Sequence, residues 1–410
     1  FLNALYNKNA LKVSQDDFEL IINPLFHFEY GQSDENNRYI NTRGFEAKGR
    51  IGKKVKFYTS FYENQAIFPD YLENQIVDNY FVVPGQGQSK WSDHSIDHDF
   101  DFAMSNGFVT YQADKYFNIQ FGHGKNFIGD GYRSMLLSDN AFNYPYLKIT
   151  TDFWKIRYVN LFSSYQDIRP EYSINDLNRK KFSTIHSLSI NLSKRLNVSL
   201  FEAIVWEQGE NGRSFDVNYL NPLIFYRPIE FSLGSRGGNA LLGTGFKYKI
   251  QDKSHLYGQF VLDEFKYAEI VAANGWWANK YSFQIGGKWF DFLGIDNLSI
   301  QSEVNYARPF IYSHNNALQS YTHYNQALAH PLGASFTESV TFIRYNYKRW
   351  SANIKLLFAE HGGDIEGDNT NYGNDILTSY SEGDRMEYGN EVAQGNTTNL
   401  QIIDLRLGYL

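Results

Sequence analysis

Alternation of apolar and polar side chains is the feature that most constrains how this chain folds. It recurs in segments of about ten residues from residue 18 to residue 410, as in residues 55–62 (VKFYTSFY) and 350–358 (WSANIKLLF). Because successive side chains of a strand point to opposite faces of a sheet, each such segment has one apolar face and one polar face. The pattern predicts an all-β protein built from antiparallel strands.

The connections between these segments alternate between short and long. Short turns are predicted near residues 52–53, 113–114, 151–152, 193–195, 251–253, 292–294 and 348–349. Long polar loops are predicted at 65–102, 125–145, 166–180, 207–239, 264–279, 307–337 and 360–398. This rhythm is typical of outer-membrane barrels, which have short periplasmic turns and long external loops. The alternative, a soluble multi-sheet β protein, would not segregate its loops in this way.

We therefore predict an antiparallel up-and-down transmembrane β-barrel with about sixteen strands, or eighteen if the chain continues past Leu410. Residues 18–410 form the barrel, and residues 1–17 are a lead-in that could end a periplasmic element. The predicted strands are 18–30, 39–51, 54–64, 103–113, 116–124, 146–151, 153–165, 181–192, 196–206, 240–250, 255–263, 280–291, 296–306, 338–347, 350–359 and 399–410.

Composition supports this interpretation and excludes several others. A mean hydropathy of −0.47, with no apolar run near the ~18 residues of a membrane helix, excludes a helical membrane protein. A net charge of −7 gives no electrostatic footprint for nucleic acid. The chain has no Cys, and it contains no nucleophile-triad, P-loop or dinucleotide signature. We expect no enzyme activity and no cofactor, and we expect contact with the lipid of a Gram-negative outer membrane.

The glycine-rich run 122–140 (GHGKNFIGDGYRSMLLSDN) predicts a loop folded into the lumen, which it would partly plug. Its glycines permit backbone conformations that other residues avoid. The side chains able to bind sugar hydroxyls or uronates are Lys125, Asp130, Arg133, Asp139 and Asn140. The same charges could instead pair with lumen-facing residues and act only as a plug. Both interpretations remain open at this stage.

Three further groups are candidate binding residues. Asn221, Arg227 and Arg236 lie in a long loop with turn signals, and they serve either the turn or a ligand. Trp276 and Trp277 could stack on a sugar ring, contact a partner protein or rest at the membrane interface. Asp364, Glu366 and Asp368 space oxygen ligands as a weak Ca²⁺ candidate, although a solvated acidic loop fits as well. We predict no other metal site.

Two blocks carry a resemblance to a known family. Residues 122–140, followed by Pro145, resemble the run G-x-x-x-x-x-x-G-x-G-x-x-S-L-x-L-S-x-N of the Wzi-like capsule-assembly barrels. The block 218–228 (NYLNPLIFYRP) and its continuation to Gly243 and 256–259 are similar to the same family. The block 321–333 (YTHYNQALAHPLG) resembles gliding-motility-associated relatives. The sequence differs at Phe127-Ile128, where the capsule members carry tryptophans.

The resemblance implies an outer-membrane barrel of about eighteen strands that binds exported polysaccharide and holds it at the cell surface without catalysis. The alternative is a scaffold subunit of a gliding-motility or protein-secretion machine, which would bind other outer-membrane, secretion or motility proteins. A plain diffusion porin is a third hypothesis, and a plugged lumen argues against it.

Overall fold

The strands of this protein join side by side in one antiparallel sheet. The computed structural model describes residues 8–33, 36–92, 99–173, 177–208, 215–224 and 238–409. Within these ranges eighteen strands belong to the sheet, and two short ones form a separate hairpin. Antiparallel pairing runs without a break from β1 to β20, and each strand pairs with the next long strand along the chain. The short β5 is passed over by the β4–β6 ladder, and the hairpin β16–β17 by the β15–β18 ladder.

The elements have the following bounds. The strands are β1 (Leu11–Gln15), β2 (Phe18–Ser33), β3 (Asn36–Ile51), β4 (Val55–Ile67), β5 (Lys90–Ser92), β6 (Asp99–Gln112), β7 (Phe117–Gly124), β8 (Tyr144–Phe153), β9 (Ile156–Asp167), β10 (Arg179–Asn191), β11 (Leu196–Glu207), β12 (Asn239–Gln251), β13 (Ser254–Glu264), β14 (Lys280–Phe290), β15 (Leu298–Ala307), β16 (Thr322–His323), β17 (Gln326–Ala327), β18 (Phe336–Tyr347), β19 (Trp350–His361) and β20 (Thr398–Tyr409). The α-helices are α1 (Asp70–Asp78) and α2 (Tyr267–Ala272). Short 3-10 helices lie at Pro170–Tyr172, Val217–Leu220, Phe292–Gly294 and Ala317–Gln319.

The predicted barrel is confirmed. Among the described residues, sixteen long strands (β2–β4, β6–β15 and β18–β20) each overlap one of the sixteen predicted segments. The described residues form no ladder between β20 and β2, but Arg406 of β20 interacts electrostatically with Glu29 of β2.

Short and long connections lie on opposite edges of the sheet, as predicted. At the turn edge, Trp154 and Lys348 adopt left-handed backbone conformations, with φ of 53° and 51°. Such conformations let two strands reverse over two residues. At the loop edge, all the connections except that between β2 and β3 are long, and one of them contains α1 and β5. The protein is thus built like an outer-membrane barrel, with its loops at one rim.

The lead-in differs from the prediction. Of residues 1–17, Leu11–Gln15 form β1, which pairs with β2 from Leu11 opposite Ile22 to Gln15 opposite Phe18. The sheet therefore begins before Phe18, and residues 1–7 lie outside the described ranges. The segment was missed because five residues are too few for a clear alternation.

The outer face of the sheet is apolar. Phe26, Phe121 and Leu405 are 77%, 66% and 61% exposed, and they sit among many other exposed apolar side chains on the strands. A contiguous exposed apolar surface of this extent suits contact with lipid. None of the described helices is long and apolar enough to cross a bilayer.

The main hydrophobic core lies inside the lumen. Met135, Leu136 and Leu137 pack there with residues of the 308–335 connection and with inward-facing wall residues such as Ile185 and Phe201. The lumen is therefore filled by two loop segments, which we call the plug segment (125–143) and the inner loop (308–335). The predicted plugging of the lumen is confirmed.

Candidate functional site: the plug and the external clefts

The plug segment is anchored through its backbone to side chains of the barrel wall. The backbone N–H groups of Tyr132 and Arg133 donate to the carboxylate of Glu303 on β15, at 2.7 and 2.8 Å. The backbone N–H of Met135 donates to Gln259 Oε1 on β13 at 2.7 Å. These bonds satisfy buried backbone donors that would otherwise be costly to hold away from water.

Two of the glycines are required by this close approach. A Cβ on Gly131 would lie 2.6 Å from Gln284 Oε1 and 2.8 Å from a carboxylate oxygen of Glu303. A Cβ on Gly129 would lie 2.5 Å from Gln259 Nε2. The glycines therefore let the segment press against the polar wall.

Arg133 is bound by the wall on its side-chain end as well. Its Nε and Nη2 donate to the two carboxylate oxygens of Glu338 on β18, at 3.2 and 2.9 Å. His330 of the inner loop contacts the same carboxylate, with Nε2 2.8 Å from Oε2. Glu338 is 1% exposed, so one buried wall carboxylate links both lumen segments.

Lys125 and Asp130 are likewise engaged within the protein. The Asp130 carboxylate lies 2.6 Å from Lys247 Nζ, and Lys288 Nζ donates to the Asp130 carbonyl at 2.6 Å. Lys125 Nζ donates to the Gly85 carbonyl at 2.6 Å. Burial lowers the pKa of Lys125, and the nearby Asp139 carboxylate acts in the opposite direction.

The inner loop binds the plug segment from the other side. Ser138 donates from its backbone to the Leu328 carbonyl at 2.8 Å and from its hydroxyl to the Ala329 carbonyl. The Tyr312 hydroxyl donates to the Met135 carbonyl at 2.8 Å. Asn140 Nδ2 donates to the Ala327 carbonyl at 3.3 Å. The two segments therefore form one packed unit.

The predicted residues of the glycine-rich run thus divide into two sets. Lys125, Asp130 and Arg133 are held by wall or loop groups, as a structural plug requires. Asn140 is half-buried and lines an external cavity. This arrangement favours the plug interpretation for the three charged residues and leaves Asn140 beside solvent.

The tryptophan pair divides in a similar way. Trp277 packs under Arg385, whose guanidinium carbon lies 3.5 Å from the ring centroid, and against Tyr380. Trp276 donates from Nε1 to Glu387 Oε1 at 2.7 Å, and it lines a cleft of about 440 Å³ at the loop rim. Trp277 is therefore a packing residue, and Trp276 is available to a ligand.

The loop candidates between β11 and β12 are only partly described. Asn221 accepts from the backbone N–H of Leu223 through Oδ1 at 3.1 Å, which is a turn contact. Arg227 and Arg236 lie outside the described residues. Of this candidate group, the structure therefore describes only Asn221.

The acidic loop after β19 does not assemble as a cation site. Asp368 accepts from Thr370 and Tyr372 hydroxyls at 2.8 and 2.6 Å. Over the described ranges, no group of three or more His, Asp or Glu side chains is placed to hold a metal ion, Asp364, Glu366 and Asp368 included.

Several important residues were not predicted as site residues. Glu303 and Glu338 were assigned only to strands, although each occupies an inward-facing position where a carboxylate needs a partner. That signal was available in the alternation pattern.

The similarity of this chain to known proteins lies in its fold. No protein-family model matches the sequence, and no curated protein matches it. Among solved structures, the fold is similar to Wzi of Escherichia coli, described as an outer-membrane protein involved in group 1 capsule assembly and a carbohydrate-binding β-barrel. The TM-score is 0.52 with 12% identity, over 84% of this chain and 70% of that chain. The chain is a β-barrel of the Gram-negative outer membrane.

Two other solved barrels are similar at lower scores. OccK8 (OprE) of Pseudomonas aeruginosa has a TM-score of 0.47 and 9% identity, over 96% of this chain and 89% of that chain. OprD of the same organism has a TM-score of 0.37 and 8% identity, over 99% and 96% of the two chains. At these identities the comparisons concern the fold.

Proposed function

We propose that this barrel binds surface or capsular polysaccharide on its external side, without catalysis, and helps to hold or assemble it at the cell surface. The observation that carries the proposal is the filled lumen. The plug segment and the inner loop occupy the space through which a porin conducts solutes, and the charged groups of Asp130 and Arg133 are paired with charges of the wall. The groups left to meet a ligand lie in clefts at the loop rim.

The cleft beside Trp276 has the chemistry that a glycan requires. It combines the Trp276 ring with the aromatic rings of Tyr281 and Tyr306, the guanidinium of Arg308 and the amide of Asn274. An aromatic ring offers an apolar face to a sugar, and a few converging polar groups fix its orientation. The fold similarity to a carbohydrate-binding barrel supports the same proposal.

The test is binding of the detergent-purified barrel to glycan arrays and to polysaccharide extracted from its own cells. We expect Trp276→Ala to weaken binding about tenfold, since a stacked aromatic group is worth roughly 1–1.5 kcal/mol. Trp350→Ala is the matched control, because Trp350 is exposed at the opposite, turn edge. If the barrel binds no surface polysaccharide, the proposal is wrong.

A specific observation favours a second candidate, the scaffold that binds a protein partner. On β9–β11, Ile185 and Ala203 face the lumen core, so the alternate residues face outward. Residues 215–220 pack on that outer face, where Tyr219 stacks on Trp206 with centroids 4.0 Å apart. We call residues 215–224 the strap.

The strap extends far down the outer wall. The Tyr158 hydroxyl donates to the Pro222 carbonyl at 2.6 Å, and Tyr158 lies two residues, or about 7 Å, from the turn-side end of β9. Irregular backbone at membrane depth is stable only where protein covers it. The strap also presents exposed Val217, Leu220 and Leu223. These features fit a protein neighbour in the membrane.

Mass measurement of the barrel in mild detergent tests this second candidate. A stoichiometric complex that Leu220→Asp and Leu223→Asp disperse would support it. Ile403→Asp on β20 is the control, since Ile403 is an equally exposed apolar residue far from the strap. A barrel that is monomeric and partner-free under all mild extraction conditions would contradict it.

A further inference from the structure

Two neighbouring cavities at the loop rim share part of their lining, including one residue of the inner loop. One, of about 340 Å³, is bordered by Asn140, His361 and Asn374. The other, of about 720 Å³, is bordered by α1 and by residues near Tyr172 and Glu382. Asn325 lines both, and we call the combined depression the Asn325 groove.

Asn325 is poised for a ligand that donates and accepts hydrogen bonds. It is 6% exposed, yet neither Nδ2 nor Oδ1 has a hydrogen-bond partner within the described part of the chain. Asn374 Oδ1, on the smaller cavity, is also buried without a described partner. Buried polar groups are almost always paired, so these atoms require water or a ligand rich in hydroxyl groups.

The charges around the groove select against anions. Its wider part is bordered by the carboxylates of Asp78, Glu171, Asp375 and Glu382. The guanidinium of Arg169, on the same wall, is already held by both carboxylate oxygens of Asp167, at 2.9 and 2.7 Å. A uronate or sulfate placed here would meet like charges, and the described residues that line the groove offer no free cation to offset them.

Exposed aromatic rings flank the same opening. Tyr71 of α1 is 74% exposed, and Tyr80 is 37% exposed just after the helix. Their faces are available to the apolar side of a sugar ring, in the way that amphipathic aromatic residues serve at binding surfaces. The groove therefore combines amides, carboxylates and tyrosines.

We propose that the Asn325 groove is a binding subsite for an uncharged sugar residue of a surface polysaccharide. This inference rests on the proposed polysaccharide-binding function and adds the ligand class. The Asn325 amide would donate to one hydroxyl and accept from another. The bordering carboxylates accept further hydroxyl protons and exclude anionic sugars.

The test compares neutral and anionic polymers on the purified barrel. The probes are dextran, mannan, galactan and chitin oligosaccharides on one side and polygalacturonate on the other. We expect at least one neutral probe to bind and polygalacturonate not to bind. Asn325→Gly should weaken neutral binding at least tenfold without lowering the melting temperature. Glycine accepts the backbone φ of 52° at this position, so the variant removes the amide without strain.

Asn297→Gly is the matched control, because Asn297 has a φ of 62° in a turn at the opposite edge. Preference for polygalacturonate overturns the inference. Polysaccharide binding that is unchanged in Asn325→Gly also overturns the inference, but it remains consistent with the proposed function. If none of these probes binds while polysaccharide from the protein's own cells does, the inference is wrong and the proposed function stands. If that polysaccharide does not bind either, both are wrong.

Discussion

Glu338 connects three partners in the lumen and is almost completely buried. It accepts two bonds from Arg133, contacts His330 at 2.8 Å and accepts from Asn305 Nδ2 at 3.0 Å. We predict that Glu338→Ala lowers the free energy of unfolding by about 3 kcal/mol, because it leaves the partly buried guanidinium of Arg133 and the buried ring of His330 without their carboxylate partner. Urea unfolding in detergent measures this effect. Glu360→Ala, at an exposed position on β19, should change it little, and equal effects of the two would contradict the account.

The pH dependence of stability should depend on His323 of the inner loop. Its Nδ1 accepts from the Gln166 backbone N–H at 3.0 Å, and its Nε2 donates to the Asn143 carbonyl at 3.1 Å. Burial lowers the pKa of His323 to about 3, against about 6.5 in an unfolded chain. Below pH 6.5 the unfolded state therefore binds more protons than the folded state, and stability falls as pH falls toward 3.

For His323 alone we expect a loss of about 1.4 kcal/mol per pH unit between pH 6 and pH 4. Urea titrations across this range measure the slope for the protein and for His323→Gln, which should flatten it by that amount. His27→Gln is the control, since His27 is largely exposed and pairs with Glu29. An unchanged slope in His323→Gln would rule out this explanation.

The sequence predicted which residues of the plug segment lie in the lumen, but not which residues they contact there. The glycine-rich run marked Lys125, Asp130 and Arg133 as a lumen group, and the structure places Asp130 and Arg133 on wall charges and Lys125 on the Gly85 carbonyl. It could not predict that Arg133 meets Glu303 and Glu338 on the wall. That pairing joins residues about 170 and 205 positions apart, and it depends on the register of every strand between them.

The plug segment, as an element, depends on close packing against β13–β15. We predict that Gly131→Ala speeds amide hydrogen exchange across residues 128–137 at least tenfold, since its Cβ would lie under 3 Å from wall oxygens. Overpacking of this kind costs about 1–3 kcal/mol. Gly31→Ala is the matched control, because its Cβ would meet no atom within 4 Å. Unchanged protection in Gly131→Ala would mean that the segment is not packed as described.

The strands were predictable because alternation and turn spacing report directly on a sheet with one lipid face. All sixteen long strands agree with the sequence, with ends differing by a few residues. The strand β1, the helix α1 and the insertion of the inner loop into the lumen were not predicted. The inner loop is fixed by burial inside the barrel, and its residues 321–333 have no period of their own. Such tertiary burial leaves no local pattern in the sequence.

For the whole molecule, the same barrel wall can belong to a sealed barrel or to a conducting one. Both share the strands, the lipid face and the loop rim, so the fold alone does not decide between them. The difference lies in the two lumen segments and in the clefts above them. If the lumen is sealed, any ligand has to be recognised at the loop rim, where Trp276 and Asn325 lie.

Single-channel conductance in planar bilayers tests this claim most directly. We predict that the purified barrel shows no porin-like current steps, and that a variant with residues 126–142 replaced by a short Gly-Ser linker shows them. The linker variant serves as the positive control for insertion into the bilayer. Stable current steps of porin size from the unaltered barrel would show that the lumen is open and that the protein is a diffusion pore.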